Sequence, residues 1–187
     1  MSLYEVLLFL HIAAAALWFG GGLLLILLAG RMSRIGDTHG LAALFGNANF
    51  ISTKVFIPSG LLVFLLGVLL VIEGPWTFGT LWIVLGLAGY AATFVTGLFL
   101  LKPQAERIAA AIERDGRMSA ESAAATAALF RHMRIDYAII AMVIADMVLK
   151  PTADDVGTLA AMAAVIVIVA VVTLRGGQTK TAAAEPT

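Results

Sequence analysis

Residues 3–28 form an apolar run that holds one histidine, His11, and a glycine triplet, Gly20 to Gly22. A run of that length meets the roughly 20 residues that an α-helix needs to cross a bilayer. Four further segments, 55–72, 80–101, 135–149 and 156–174, reach or approach it. The segment 135–149 is short and contains Asp136 and Asp146. It spans only if its helix continues from the polar stretch before it. Composition agrees with a membrane chain: 61% hydrophobic residues and 13% charged, where soluble domains carry about 25% charge. The expected fold is an all-α integral membrane helix bundle of five transmembrane helices, a four-helix core plus a C-terminal helix.

Basic residues set the orientation. Arg31, Arg34 and Lys54 follow the first run, six more from Lys102 to Arg134 separate the third and fourth, and Arg175 and Lys180 follow the fifth. Only Lys150 falls on the other side. This asymmetry places the N-terminus outside and the C-terminus in the cytoplasm. Glu5, the lack of a basic n-region and the length of the run argue against a cleaved signal peptide. Short turns at Gly74-Pro75-Trp76 and at 151–155 make their flanking helices antiparallel neighbours. Trp76 and Trp82 read as interfacial belt residues. The alanine-rich stretch 103–134, broken at Asp115-Gly116 with Ser119 as an N-cap, reads as a cytoplasmic helical hairpin. Residues 1–175 thus form one bundle, and 176–187 a disordered cytoplasmic tail.

Zero net charge gives no argument for nucleic acid, and the absence of cysteine excludes disulfides and thiolate metal sites. No serine elbow, zinc-protease helix motif or phosphate-binding glycine loop is present, so no catalytic residue is assigned. The candidate ligand is His11, with Ala15, Trp18 and Gly22 on the same helical face. Neutral imidazole binds haem iron, copper and zinc. Counting from the outer helix ends places Tyr90 and Met142 at the depth of His11. His11, Tyr90 and Met142 are therefore the cofactor-binding candidates, with His11 the metal ligand and haem or copper the cofactor. The alternative for His11 is a hydrogen bond that only ties helices together. His39 and His132 fall on the cytoplasmic side, so a bis-histidine haem needs a homo-oligomer. Asp146 can pair with Lys150 at i,i+4. In a second reading, Glu5, Glu73 and Asp146 join His11 in a polar cleft, since ionisable residues in membranes mark ion or substrate paths. Gly60, Gly67, Gly86, Gly89 and Gly97 allow close helix approach.

The stretches LHIAAAALWFGGGLLL, KVFIPSGLLVFLLGVLLV, LWIVLGLAGYAATFVTGLFLLKPQAERI and DMVLKP together resemble the bacterial integral membrane proteins of the domain-of-unknown-function family numbered 2269, over residues 3–151. That resemblance implies no activity. The early Leu-His followed by Trp-x-Gly-Gly is more distantly similar to the copper-resistance D and membrane protoporphyrinogen oxidase families. The latter likeness implies haem binding at His11. It departs at Trp82, where the Trp-x-x-x-Lys pattern would need a basic residue and Gly86 stands instead. Three readings follow: a haem- or metal-binding redox accessory, a small transporter or permease subunit with a cleft at His11 and Asp146, and a structural or regulatory protein. The last acts on a membrane or cytoplasmic protein partner through its hairpin.

Overall fold

The structure is a computed structural model that describes residues 2–182, with side chains to Arg175. It is helical throughout, with no strand among the described residues. The helices are α1 (Leu3–Ile35), α2 (Thr38–Gly46), α3 (Ala48–Glu73), α4 (Leu81–Asp115), α5 (Ala120–Leu149) and α6 (Val156–Ala182). α1, α3, α4 and the stretch Val156–Arg175 of α6 are each long and apolar enough to cross a membrane. α5, which contains the expected fourth span, is not among them. Arg131, Arg134, Asp136 and Asp146 lie close together on it and dilute its hydropathy. Residues 176–182 of the expected tail continue α6, and 183–187 lie outside the described residues.

The local signals explain the helix ends. Ser2 and Glu5 form a reciprocal capping box at the start of α1, and Gly36 closes it in the left-handed region at φ 72°. The 33 residues between them span roughly 50 Å at 1.5 Å per residue, well beyond the hydrocarbon core of about 30 Å. Asp37 caps α2 by accepting from the Gly40 N–H at 2.8 Å. α3 and α4 each contain one π turn, Ser52–Phe56 and Gly97–Leu101. Pro58 and Pro103 stand just after these turns. A proline has no N–H and its ring crowds the carbonyl one turn back, so the ladder widens there. Gly116, at φ 64°, turns α4 into α5, and Ser119 caps α5 by accepting from the Ser122 N–H.

The two ends of the bundle differ. At the arginine end, Ala105, Ile108, Ala109 and Ile112 share one face of α4 and pack on Leu41, Ala42 and Phe45 of α2, Ala29 of α1 and Leu129 of α5. That is the i, i+3, i+4, i+7 pattern of an amphipathic helix, and it makes the largest buried core in the molecule. The hairpin's apolar face is therefore occupied within the chain. At the tryptophan end the buried cluster is small, Val71, Trp82 and Ile83. Between the ends, Leu17, Leu24, Leu62 and Phe99 are exposed on the bundle surface, a surface suited to lipid.

Helix contact in this middle region depends on bared backbone. Leu7, Ala14, Gly22 and Ala29 are the buried residues of α1 and recur at near-heptad spacing. A Cβ on Gly22 would collide with the Tyr137 hydroxyl, which donates to the Phe19 carbonyl at 3.0 Å. Cβ atoms on Gly86 and Gly89 would collide with Met147 and Val143 of α5. α3 runs beside α1, α5 lies between α4 and α6, and α6 is the edge helix.

Two outcomes test this packing. Gly22→Ala should lower unfolding stability in detergent by about 1–3 kcal/mol through overpacking, and adding Tyr137→Phe should recover part of the loss. At the α5–α6 turn, Asp155 accepts from the Thr152 N–H and hydroxyl, both at 2.8 Å, which hold its carboxyl below the usual range. The folded value is depressed, so the turn's stabilisation is present above the ordinary carboxylate pKa and is lost as pH falls through the folded value. Protection of the Thr152 amide should follow that course in the parent and be independent of this titration in Asp155→Asn.

Candidate functional site: a cavity at the tryptophan end

A cavity of about 540 Å³ lies between α1, α3, α4 and α5 at the tryptophan end. This is within the roughly 300–1,000 Å³ of small-molecule sites. Its walls are mainly apolar and aromatic, from Phe19, Phe64, Phe78 and Tyr90 among others. The face that helical spacing assigns to the bundle interior does line it: His11, Ala15 and Trp18 all border the cavity. His11 lies against α3, where a Cβ on Gly67 would come 3.3 Å from the ring's Cε1. The imidazole is half-buried beside the Val63 backbone of α3, and its Nδ1 is buried with no hydrogen-bond partner of good geometry. An unpaired buried polar atom is costly.

The cavity's outer rim is an aromatic and cationic group. Trp76 packs edge-on against Trp82 at 5.3 Å between ring centroids, and Tyr4 lies 6.1 Å from Trp76. The Lys150 ammonium sits 4.3 Å from the centre of the Trp76 ring and 5.4 Å from that of Trp82. Lys150 ends α5 in the left-handed region, at φ 48°. That conformation is uncommon for a residue with a side chain, and Pro151, fully buried, follows it. Trp76, Trp82 and Lys150 all border the cavity, so these tryptophans do more than mark an interface.

Other sequence candidates occupy different places. Tyr90 borders the cavity, but its hydroxyl donates to the Gly60 carbonyl at 3.1 Å. Its ring packs on Trp18, Phe64 and Phe94 at 5.5–5.6 Å. Trp18 lies two turns below His11 on α1, so Tyr90 is deeper than a count from the helix end places it. The linker 74–80 folds Trp76 over the end of the bundle, and α4 begins below it. Met142 does not border the cavity. Met147, further along α5, does. Asp146 is 1% exposed and lies at the α4–α5 contact, its Oδ2 3.4 Å from where a Gly86 Cβ would be. Neither of its oxygens has a partner, and it makes no ion pair with Lys150. Glu5 is exposed and is used by the cap of α1, and Glu73 is exposed at the end of α3. Glu5, Glu73 and Asp146 are not among the cavity's lining residues.

Residues 5–151 match the model of a family described as predicted integral membrane protein (DUF2269). The chain belongs to this family. It is a multi-pass integral membrane protein, and of the cavity's lining residues all but Tyr4 lie within the matched span. No curated protein and no solved structure matches the chain significantly.

Among the described residues, no group of three or more histidine, cysteine, aspartate or glutamate side chains comes together. A bare copper or zinc ion in this cavity would meet one imidazole and one thioether, fewer donors than such ions take. Haem makes a smaller demand on the protein, one or two axial ligands. His11 and Met147 both border this apolar space.

Removing the Tyr90 hydroxyl tests which polar groups belong to the scaffold. Tyr90→Phe should cost about 1 kcal/mol of stability, read from thermal unfolding in detergent, and leave ligand affinity at the cavity within twofold.

Proposed function

We propose that this protein binds an amphiphilic ligand within the membrane, with an apolar body in the cavity and an anionic group at its outer rim. The observation that carries this reading is the position of Lys150, a cation held over two tryptophan rings at the mouth of an otherwise apolar cavity. Burying aromatic and aliphatic ligand surface there supplies affinity, and the ammonium supplies orientation and selection for negative charge. The place of His11 on the cavity wall supports a narrower version, in which haem is the ligand. His11 would hold its iron and Lys150 would pair with a propionate. When bound, haem supplies one-electron chemistry, consistent with a redox-accessory role. Residues of this chain would exclude water and fix the ligand's orientation.

The test is haemin titration of the purified protein in detergent, followed by the Soret band. The expected result is a saturable band that is lost in His11→Ala and reached at about tenfold higher haemin in Lys150→Met. A band that is the same in both variants would overturn the haem version. Saturable binding of a fatty carboxylate that depends on Lys150 and not on His11 would retain the broader reading.

We also infer five spans, with the N-terminus outside and the hairpin on the cytoplasmic side of a bacterial inner membrane. The support is the distribution of lysine and arginine and the antiparallel packing of α5 against α4 and α6. Because the chain lacks cysteine, single cysteines report side cleanly. A cysteine at Gly116 should react with an impermeant maleimide only after the cells are opened, and one at Asp154 in intact spheroplasts. The reverse pattern, or labelling of both from one side, would refute the topology.

A further inference from the structure

A second cavity, of about 160 Å³, lies below the first toward the arginine end, and the two share Trp18, Thr93 and Ile140 as lining residues. Phe45, Phe56, Phe94 and Trp18 line it among more numerous aliphatic side chains. Residues of both π turns border it, Ser52 and Phe56 from one and Gly97 and Leu101 from the other. Such turns open a helix surface and recur at functional sites.

One carboxylate is set into this space. Asp136 borders the cavity, is 6% exposed, and has a buried Oδ1 with no hydrogen-bond partner. Lys102 borders the same cavity, but its ammonium is 4.0 Å from Glu106. No lysine, arginine or histidine nitrogen among the described residues makes an ion pair with Asp136. A carboxylate oxygen enclosed by apolar groups without a partner is costly in any folded protein, and ionisable groups at such depth in a membrane protein mark a functional site by default. A lone carboxylate and aromatic rings that border one cavity can together recognise an ammonium ion, by charge and cation–π attraction. Volume sets the size: a dry cavity of about 150 Å³ accommodates benzene.

We propose that this inner cavity binds a small organic ammonium ion, its cationic centre beside Asp136 and its carbon groups against the phenylalanines. The site is separate from the outer cavity. It needs neither His11 nor Lys150.

Calorimetric titration of the detergent-purified protein with tetramethylammonium chloride tests this, at ionic strength held constant with sodium chloride. Saturable one-site binding is expected in the parent and in His11→Ala, with affinity lowered at least about tenfold in Asp136→Asn. If Asp136→Asn does not fold, Phe56→Leu decides the matter: loss of one aromatic wall should weaken binding by about fivefold. Absence of saturable heat in the parent would overturn the proposal. So would unchanged affinity in the folded Asp136→Asn or in Phe56→Leu, or equal competition by sodium, which would mark a metal-ion site instead.

Discussion

Side chains seated on bare glycine backbone hold the membrane part of this protein together. In hydrocarbon the apolar side chains gain nothing by leaving lipid for one another, so helices associate through close packing and hydrogen bonds. Contacts of α1 with α3 and α5, and of α4 with α3 and α5, have that form. His11 rests on Gly67, Phe94 on Gly60, Tyr137 on Gly22, and Met147 and Val143 on Gly86 and Gly89. Two tyrosine hydroxyls add bonds to the Phe19 and Gly60 carbonyls. The arginine end works differently. There an amphipathic arm of α4 buries its alanines and isoleucines against α2 and α5, as a soluble helical domain does.

That difference sets where space is left. The arginine end is packed around Ile108, Ile112 and Leu41, and only the smaller cavity reaches its core, at Ala29, Phe45, Ala105 and Leu129. Toward the tryptophan end α3 and α4 are bridged by the rings of Phe64, Tyr90 and Phe94, and the spacing of these rings leaves the larger cavity. The polar atoms without partners lie on His11 at the larger cavity, on Asp136 at the smaller one and on Asp146 at the α4–α5 contact. A scaffold that needed only stability would replace them with apolar groups. Their presence inside a membrane protein is the observation that points to ligand binding.

Much of the architecture was legible from sequence. Apolar runs located α1, α3, α4 and α6, Gly116 and Ser119 marked the turn between α4 and α5, and the 3.6-residue period put His11, Ala15 and Trp18 on one inward face. The site was legible only in part. Depth counted from helix ends assumed that all helices start at one level, whereas α4 starts below the linker that carries Trp76. The count therefore selected Met142 where Met147 borders the cavity, and it placed Tyr90 too near His11. The i,i+4 spacing of Asp146 and Lys150 suggested an ion pair. Lys150 instead takes left-handed backbone at the end of α5, and its ammonium lies over Trp76. Nothing local in the sequence encodes that swing. Asp136 looked like an interruption of a weak span, and only the packing of α1, α3 and α4 around it shows a cavity wall.

The central claim is that the outer cavity takes an apolar body with an anionic head beside Lys150. Fluorescence of a variant that keeps Trp76 alone, with Trp18→Phe and Trp82→Phe, reads it directly. Titration with a bromine-labelled fatty acid in nanodiscs should give saturable quenching that is lost on adding Lys150→Met, whereas the matching brominated alcohol should quench only weakly. Quenching that rises linearly with lipid concentration, equal for acid and alcohol and indifferent to Lys150→Met, would contradict the account.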